Sequence, residues 1–173
     1  AAEAAAAQAA AALPTGDSPT SREVENPRDP SLVPAGTDEA NAKAFLSMPV
    51  GVSDGGPIGG IGKGGIHLDR ITLGSEPGKK DCGGKSDNFS VEARDSVHVC
   101  FRVIQRRVES KLKVLWQRDG TTVRRSPLTI KPTHAYRTRA RLALRPEYVG
   151  TWRVVVVSED GVELATRSFT VAP

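Results

Sequence analysis

Three arginines at alternate positions are the residues whose type and spacing most directly suggest chemistry. Arg137, Arg139 and Arg141 occupy every second position of one segment, and side chains at that spacing lie on one face of a β-strand. A row of like charges is more stable opposite acids or a bound anion, which guanidinium groups grip through paired hydrogen bonds. We therefore predict an anion- or partner-binding face, which Arg124 and Arg125 on the preceding strand extend. The alternative is a solvated sheet face that deters edge pairing.

Motifs for cofactors, metals and nucleophilic catalysis fail at specific positions. Gly60, Gly62 and Gly65 have the spacing of a dinucleotide fingerprint, but that fingerprint needs a strand before it and a helix after it. In this chain a glycine-rich stretch precedes the three glycines, and a predicted strand follows them. The three histidines lie far apart, neither cysteine stands beside one, and we interpret them as surface residues. No serine stands in a nucleophile elbow. We expect no enzyme activity, no cofactor and no metal.

Cys82 and Cys100 are the two cysteines of the chain and form a candidate disulfide. The bond would close a loop of seventeen intervening residues and stabilise a small sandwich by about 3 kcal/mol in the chain-entropy description. Two cysteines do not fix the redox compartment, because buried free cysteine is common in cytosolic domains. Buried free thiols are therefore the alternative.

Charge and composition divide the chain near residue 62. Residues 1–61 carry a net charge of −5 and residues 62–173 a net charge of +9. The first part has an Ala-rich start, too short to span a membrane, then a proline-rich stretch and a glycine-dense run over 51–65. We predict a flexible arm over 1–61, with one short helix at 38–48, and a folded domain over 62–173.

Beyond residue 62, runs of β-branched and aromatic residues alternate with turns about every ten residues, which is typical of a sandwich or barrel. The predicted strands are Ile66–Leu73, Ser96–Ile104, Lys111–Gln117, Thr121–Ile130, Ala135–Leu144, Gly150–Ser158 and Val162–Val171. Asp119-Gly120 and Asp160-Gly161 predict hairpin turns. The larger aromatic residues fall at core-facing positions. They are Phe101, Trp116, Trp152 and Phe169.

The order of short motifs in this domain resembles the bacterial domain of unknown function 2914. The motifs are CFRV at 100–103, WQRDG at 116–120, RTRARLAL at 137–144, GTWRV at 150–154, DGVEL at 160–164 and FTV at 169–171. The resemblance covers about residues 66–171 and implies a β-sandwich that often ends longer membrane-associated or exported proteins, with no assigned activity. We therefore expect an all-β fold, an immunoglobulin-like antiparallel β-sandwich of about seven strands, behind a long low-complexity N-terminal arm.

The function predicted from these features is a non-catalytic binding or structural module that is periplasmic, on the cell surface or secreted. Its basic sheet face would contact a protein or an anionic envelope polymer. Nucleic acid is not favoured, because Tyr136 and Tyr148 are the only aromatic residues near the arginines that could stack on bases. The alternative is a subunit of a larger bacterial assembly whose N-terminal arm docks onto neighbouring subunits, as a homo- or hetero-assembly.

Overall fold

Strands dominate the part of the chain that the computed structural model describes, residues 23–24 and 28–173. They are β1 (Glu23–Val24), β2 (Val50–Gly51), β3 (His67–Glu76), β4 (Gly83–Lys85), β5 (Asn88–Ser90), β6 (Ser96–Ile104), β7 (Ser110–Arg118), β8 (Thr121–Ile130), β9 (Ala135–Ala143), β10 (Gly150–Ser158) and β11 (Glu163–Ala172). One α-helix, α1 (Glu39–Leu46), lies among the described residues, with 3₁₀ turns at Pro30–Leu32, Lys63–Gly65 and Pro146–Tyr148. None of the described helices is long and apolar enough to cross a membrane.

The strands from β3 onward form two sheets, with the order β5-β11-β10-β7-β8 in one and β4-β3-β6-β9 in the other. All neighbours are antiparallel except β11 and β5. In an immunoglobulin-like sandwich, strands A, B and E share one sheet and G, F, C and C′ the other. The equivalents of strands A, B and E are β3, β6 and β9. The equivalents of strands G, F, C and C′ are β11, β10, β7 and β8. The predicted fold class is confirmed.

Alternating apolar side chains from both sheets build the core. On β6, Val97, Val99, Phe101 and Val103 face inward, and each is at most 1% exposed. The predicted core aromatics are all buried, which confirms their assignment to packing. Trp152 stacks on Phe169 at 6.0 Å between ring centroids, and Trp116 meets Phe169 edge-on at 6.2 Å. These rings connect β7, β10 and β11 at the centre of the five-stranded sheet.

Both predicted hairpins are present, with different turns. Asp119 and Gly120 have φ of 50° and 79°, the two positive values that a type I′ turn requires. The connection from β10 to β11 is four residues long and places Gly161 at φ 82°, with a register shift nearby between Val156 and Val157. Connections of this length are most often built around a type I turn. Strands β4 and β5 escape sequence prediction, because three residues are too short for a periodic pattern.

The segment over 28–61 differs from the flexible arm expected there, because it packs on the sandwich. Phe45, Met48 and Ile61 are at most 2% exposed. Helix α1 falls within the predicted range 38–48 and begins after Asp38, whose carboxylate accepts from two backbone N–H groups of the first turn. Residues 1–22 lie outside the described residues. The boundary at 62 and the docking role of the arm stay predictions.

Glycine density in this segment allows close approach to strand β11. A Cβ on Gly59 would lie 2.3 Å from the carbonyl oxygen of Leu164, and one on Gly60 would lie 2.6 Å from that of Glu163. The amide of Gly60 donates to that same Glu163 carbonyl at 2.9 Å. Only glycine lets the two backbones come this close. The glycine-dense run, which indicates a flexible linker in the sequence, therefore packs tightly against β11. Segment 28–61, which contains most of this run, is named the strap below.

Candidate anion-binding face

The arginine row lies on β9, an edge strand of the four-stranded sheet. Ala140 and Leu142 point into the core. The arginines alternate with them on the outer face, where Arg139 and Arg141 are exposed and Arg137 is half-buried. Across the sheet, Arg137 pairs in register with Arg102, Arg139 with Cys100 and Arg141 with His98. The row thus continues onto the outer surface of β6.

Cations on the two inner strands of this face already have acidic partners. Arg102 on β6 donates two hydrogen bonds to Asp69, one of them from Nε to Oδ1 at 2.9 Å. The Asp69 side chain is almost completely buried. Arg70 on β3 pairs with Asp81, which also accepts from Lys85 at 3.2 Å. The hydrogen bonds from Arg70 hold the pKa of Asp81 well below its ordinary value. These positive charges are neutralised within the fold.

The cations on β9 are not neutralised in this way. Arg137 donates to a backbone carbonyl, that of Lys80, at 3.5 Å. In the part of the chain that the structure describes, Arg139 and Arg141 have neither an ion pair nor a hydrogen bond. Burial, and then the charges of Arg141 and Arg139, lower the pKa of His98, so the electrostatic potential of the row reaches the neighbouring strand.

A second basic element faces the row across a cleft of about 270 Å³. One wall is the β3–β4 loop at Gly78, Lys79 and Lys80, and the other is β9 at Arg137, Thr138 and Arg139. None of these six described residues is acidic. Four cationic residues therefore line one open cleft, which is named the basic cleft below.

The predicted disulfide is present and anchors the loop that carries the two lysines. It joins Cys82 to Cys100, whose Cα atoms are 5.4 Å apart, and both residues are buried against the outer face of β3 and β6. The amide of Cys82 also donates to Thr72 Oγ1 at 2.9 Å. A Cβ on Gly78 would overlap the carbonyl oxygen of Asp81, so the turn closes only with glycine there. The disulfide therefore ties the C-terminal side of the loop to β6, the strand that pairs with β9.

Arg124 and Arg125 lie apart from the row. They are exposed on β8, which is an edge of the five-stranded sheet, and they pair in register with Trp116 and Leu115 of β7. The chain crosses from one sheet to the other between β8 and β9. The two residues therefore do not extend the β9 row across a sheet face, and a role for them in binding stays a prediction.

The histidines differ from the surface residues expected from the sequence. His67 is fully buried, His98 is 8% exposed, and the His134 ring is mostly covered. His134 Nε2 lies 2.6 Å from Asp54, which also pairs with buried Arg28 at 3.3 Å. Within residues 23–24 and 28–173, no three His, Cys, Asp or Glu side chains are grouped to hold a metal.

The buried Arg28–Asp54–His134 cluster connects the strap to the sandwich. Burial raises the pKa of Asp54, but the hydrogen bonds from His134 and the Gly51 amide, with the nearby positive charges, outweigh that effect and lower it. Arg28 also donates to the carbonyls of Met48 and Pro49. The contacts of this cluster hold segment 28–61 in place.

Lys79 and Lys80 are the site residues that sequence reasoning missed. The sequence did contain a signal, because the two lysines stand directly before Asp81 and Cys82. A bond from Cys82 to Cys100 necessarily brings them near whatever strand flanks Cys100. The sequence does not predict which strand pairs with β6. The sheet topology shows that this strand is β9.

Comparison with known proteins supports the resemblance inferred from the motifs. Residues 109–171 match the model of the family described as "Protein of unknown function (DUF2914)". This confirms the resemblance for the span from β7 to β11. A crystal structure of an immunoglobulin-like protein from Pseudomonas aeruginosa is similar, with 16% identity and a TM-score of 0.44 over 61% of this chain and 95% of that one. No curated protein matches the chain.

Proposed function

We propose that this chain is a non-catalytic binding module that holds a linear anionic polymer of the cell envelope on the outer face of β9. One observation carries the proposal. Asp69 and Asp81 neutralise the cations of β3 and β6, whereas the arginines of β9 have no acidic partner among the described residues. Unneutralised guanidinium groups on one face favour a negatively charged ligand, because they bind carboxylate and phosphate groups bidentately.

The geometry of the row favours a linear polymer over a compact ligand. Alternate residues of a strand are about 7 Å apart, so the three arginines present positive charges along about 13 Å. The basic cleft continues this surface on the side of the β3–β4 loop. A chain with repeated negative charges contacts all of these groups at once. A small anion contacts only one or two of them.

Two other anionic partners fit the surface less well. A lipid bilayer favours proteins with apolar or aromatic residues beside their cations. None of the large exposed apolar side chains among the described residues is on β9 or lines the basic cleft; they are Leu32, Val52, Ile58, Val108, Val123 and Val149. Nucleic acids favour aromatic stacking platforms. Tyr136 and Tyr148 pack against the core and do not form one.

An envelope location is supported by the disulfide. Disulfides persist in oxidising compartments such as the periplasm and the extracellular space, and they are rare in the reducing cytosol. The bond between Cys82 and Cys100 anchors the loop of the basic cleft. The binding surface therefore depends on a bond that an oxidising compartment maintains.

The test compares two triple variants that lose the same charge. Arg137→Ser/Arg139→Ser/Arg141→Ser removes the row. Lys111→Ser/Lys113→Ser/Arg153→Ser is the control and removes three exposed cations from the other sheet. Each variant is passed over an anionic polymer matrix, and its dissociation constant for the soluble polymer is measured by calorimetry.

We expect the row variant to bind roughly 100-fold more weakly, since each cation near an anionic surface contributes about 1 kcal/mol. The control should bind almost as tightly as the unmodified chain. Equal weakening of both variants would show that only net charge matters and would refute the proposed site. Stronger binding to acidic protein than to any polymer would favour a protein partner instead.

A further inference from the structure

We infer that the basic cleft is the subsite for a single phosphate group of the bound polymer. The inference rests on the proposed function and adds the chemical identity of the charged group. It starts from the placement of the cations. Lys79 and Lys80 approach from the loop wall, while Arg137 and Arg139 approach from the strand wall.

Donors on two opposed walls favour phosphate over carboxylate. A carboxylate has two coplanar oxygens, which the fork of one arginine can satisfy. The cations of the opposite wall would then remain uncompensated. A phosphate group has oxygens in tetrahedral directions, and when it is attached to the polymer as a side-group monoester it carries a charge of about −1.5 to −2. It can accept from an arginine fork on one side and from lysine ammonium groups on the other.

The cleft is small compared with the pockets that hold drug-sized molecules. At about 270 Å³, it lies just below the range of roughly 300 to 1,000 Å³ that is typical of pockets for drug-sized molecules. Arg141 follows Arg139 two positions along β9 and is exposed outside the cleft, so the polymer can continue in that direction. One phosphate would occupy the cleft while neighbouring charges of the polymer contact the exposed end of the row.

The loop wall is organised before any ligand binds. The disulfide at Cys82 fixes its C-terminal side, and the ion pair of Asp81 with Arg70 fixes the adjacent residue. The hydrogen bond from Arg137 to the Lys80 carbonyl holds the wall beside β9. A loop that is already ordered loses less conformational entropy on binding, and this strengthens the binding of a small group.

The test separates the two lysines from the arginine row. Lys79→Ala/Lys80→Ala removes the loop charges and leaves β9 intact, and Lys111→Ala/Lys113→Ala is the control with equal charge loss on exposed positions of β7. Inorganic phosphate and acetate are each titrated into the full chain at matched ionic strength. Backbone amide shifts of Gly78, Lys79 and Thr138 are followed by NMR.

We expect saturable shifts at these amides with phosphate and none with acetate. The loop variant should bind phosphate roughly tenfold more weakly, as expected when two charged contacts are lost, while the control is unchanged. The loop variant should also lose the preference of the chain for phosphocellulose over carboxymethyl cellulose. A tighter association with phosphatidylglycerol vesicles than with phosphocellulose would overturn the assignment to a polymer.

The two proposals fail in different ways. If the loop variant keeps its preference for phosphate while the arginine variant loses retention on every anionic matrix, the phosphate subsite is wrong and the binding face survives. If the arginine variant keeps full retention, the binding face itself is wrong, and the subsite falls with it.

Discussion

Acidification should destabilise this protein through one buried imidazole. His67 is fully buried beneath α1, and its Nδ1–H donates to the carbonyl of Gly65 at 2.8 Å. Its Nε2 has no hydrogen-bond partner among the residues that the structure describes. Phe45 packs edge-on against the ring at 5.0 Å. Burial lowers the pKa of His67 from 6.5 to about 4, and the nearby Arg28 charge acts in the same direction.

The direction of the stability change follows from where the proton binds. The folded-state pKa is below the unfolded value, so between pH 6.5 and about 4 the unfolded chain binds more protons than the folded chain. The stabilisation is complete above pH 6.5 and is lost as the pH falls toward 4. A shift of about 2.5 units at 1.36 kcal/mol each corresponds to a loss of about 3 kcal/mol in the free energy of unfolding.

The assay is denaturant unfolding, followed by tryptophan fluorescence, at a series of pH values. His67→Leu serves as the comparison, because it keeps every carboxylate and therefore cancels their contribution to the pH profile. We expect the free energy of unfolding of the unmodified chain, relative to that of His67→Leu, to fall by about 3 kcal/mol on going from pH 7 to pH 4. Parallel pH profiles would refute the assignment of a buried neutral imidazole at this position.

Three further outcomes test other contacts. Reduction of the Cys82–Cys100 bond should lower the free energy of unfolding by about 3 kcal/mol in denaturant titrations, and no change would contradict its role as a staple. Arg141→Gln should raise the pKa of His98 in an NMR titration, because a positive charge beside the ring is removed. An unchanged pKa of His98 would show that the charge of Arg141 does not contribute to lowering it. Gly65→Ala should destabilise the fold by more than about 1 kcal/mol. The φ angle of Gly65 is +85°, and a Cβ there would lie 2.7 Å from a backbone nitrogen of α1. Unaltered thermal unfolding of this variant would show that the strap can shift.

The strands that the sequence predicts best are those with long alternation and clear turns. β6, β8 and β10 have the predicted bounds. β6 alternates between apolar and other residues, β10 contains a continuous apolar run, and β8 follows the Asp119-Gly120 hairpin that pairs it with β7. The strap over 28–61 could not be predicted in the same way. Its glycines have no side chains that could show periodicity, and their role depends on a strand that lies about a hundred residues away in sequence.

The sequence predicts one part of the candidate site, the arginine row, but not the ion pairs around it. Alternation alone places the three arginines of β9 on one face, and the structure agrees. Which cations have partners could not be predicted, because Asp69 and Asp81 reach Arg102 and Arg70 only through the pairing of β3 with β6 and the β3–β4 turn. The crossing between β8 and β9 likewise separates arginines that are close in sequence.

The salt dependence of polymer binding tests the central claim most directly. The dissociation constant of the full chain for a long-chain polyphosphate is measured over a range of sodium chloride concentrations, together with Arg137→Ser/Arg139→Ser/Arg141→Ser. We expect the logarithm of the affinity to fall linearly with the logarithm of salt, with a slope shallower by about 2 in the variant, because three fewer cations displace counterions. Identical slopes for the two proteins would contradict binding at the β9 face.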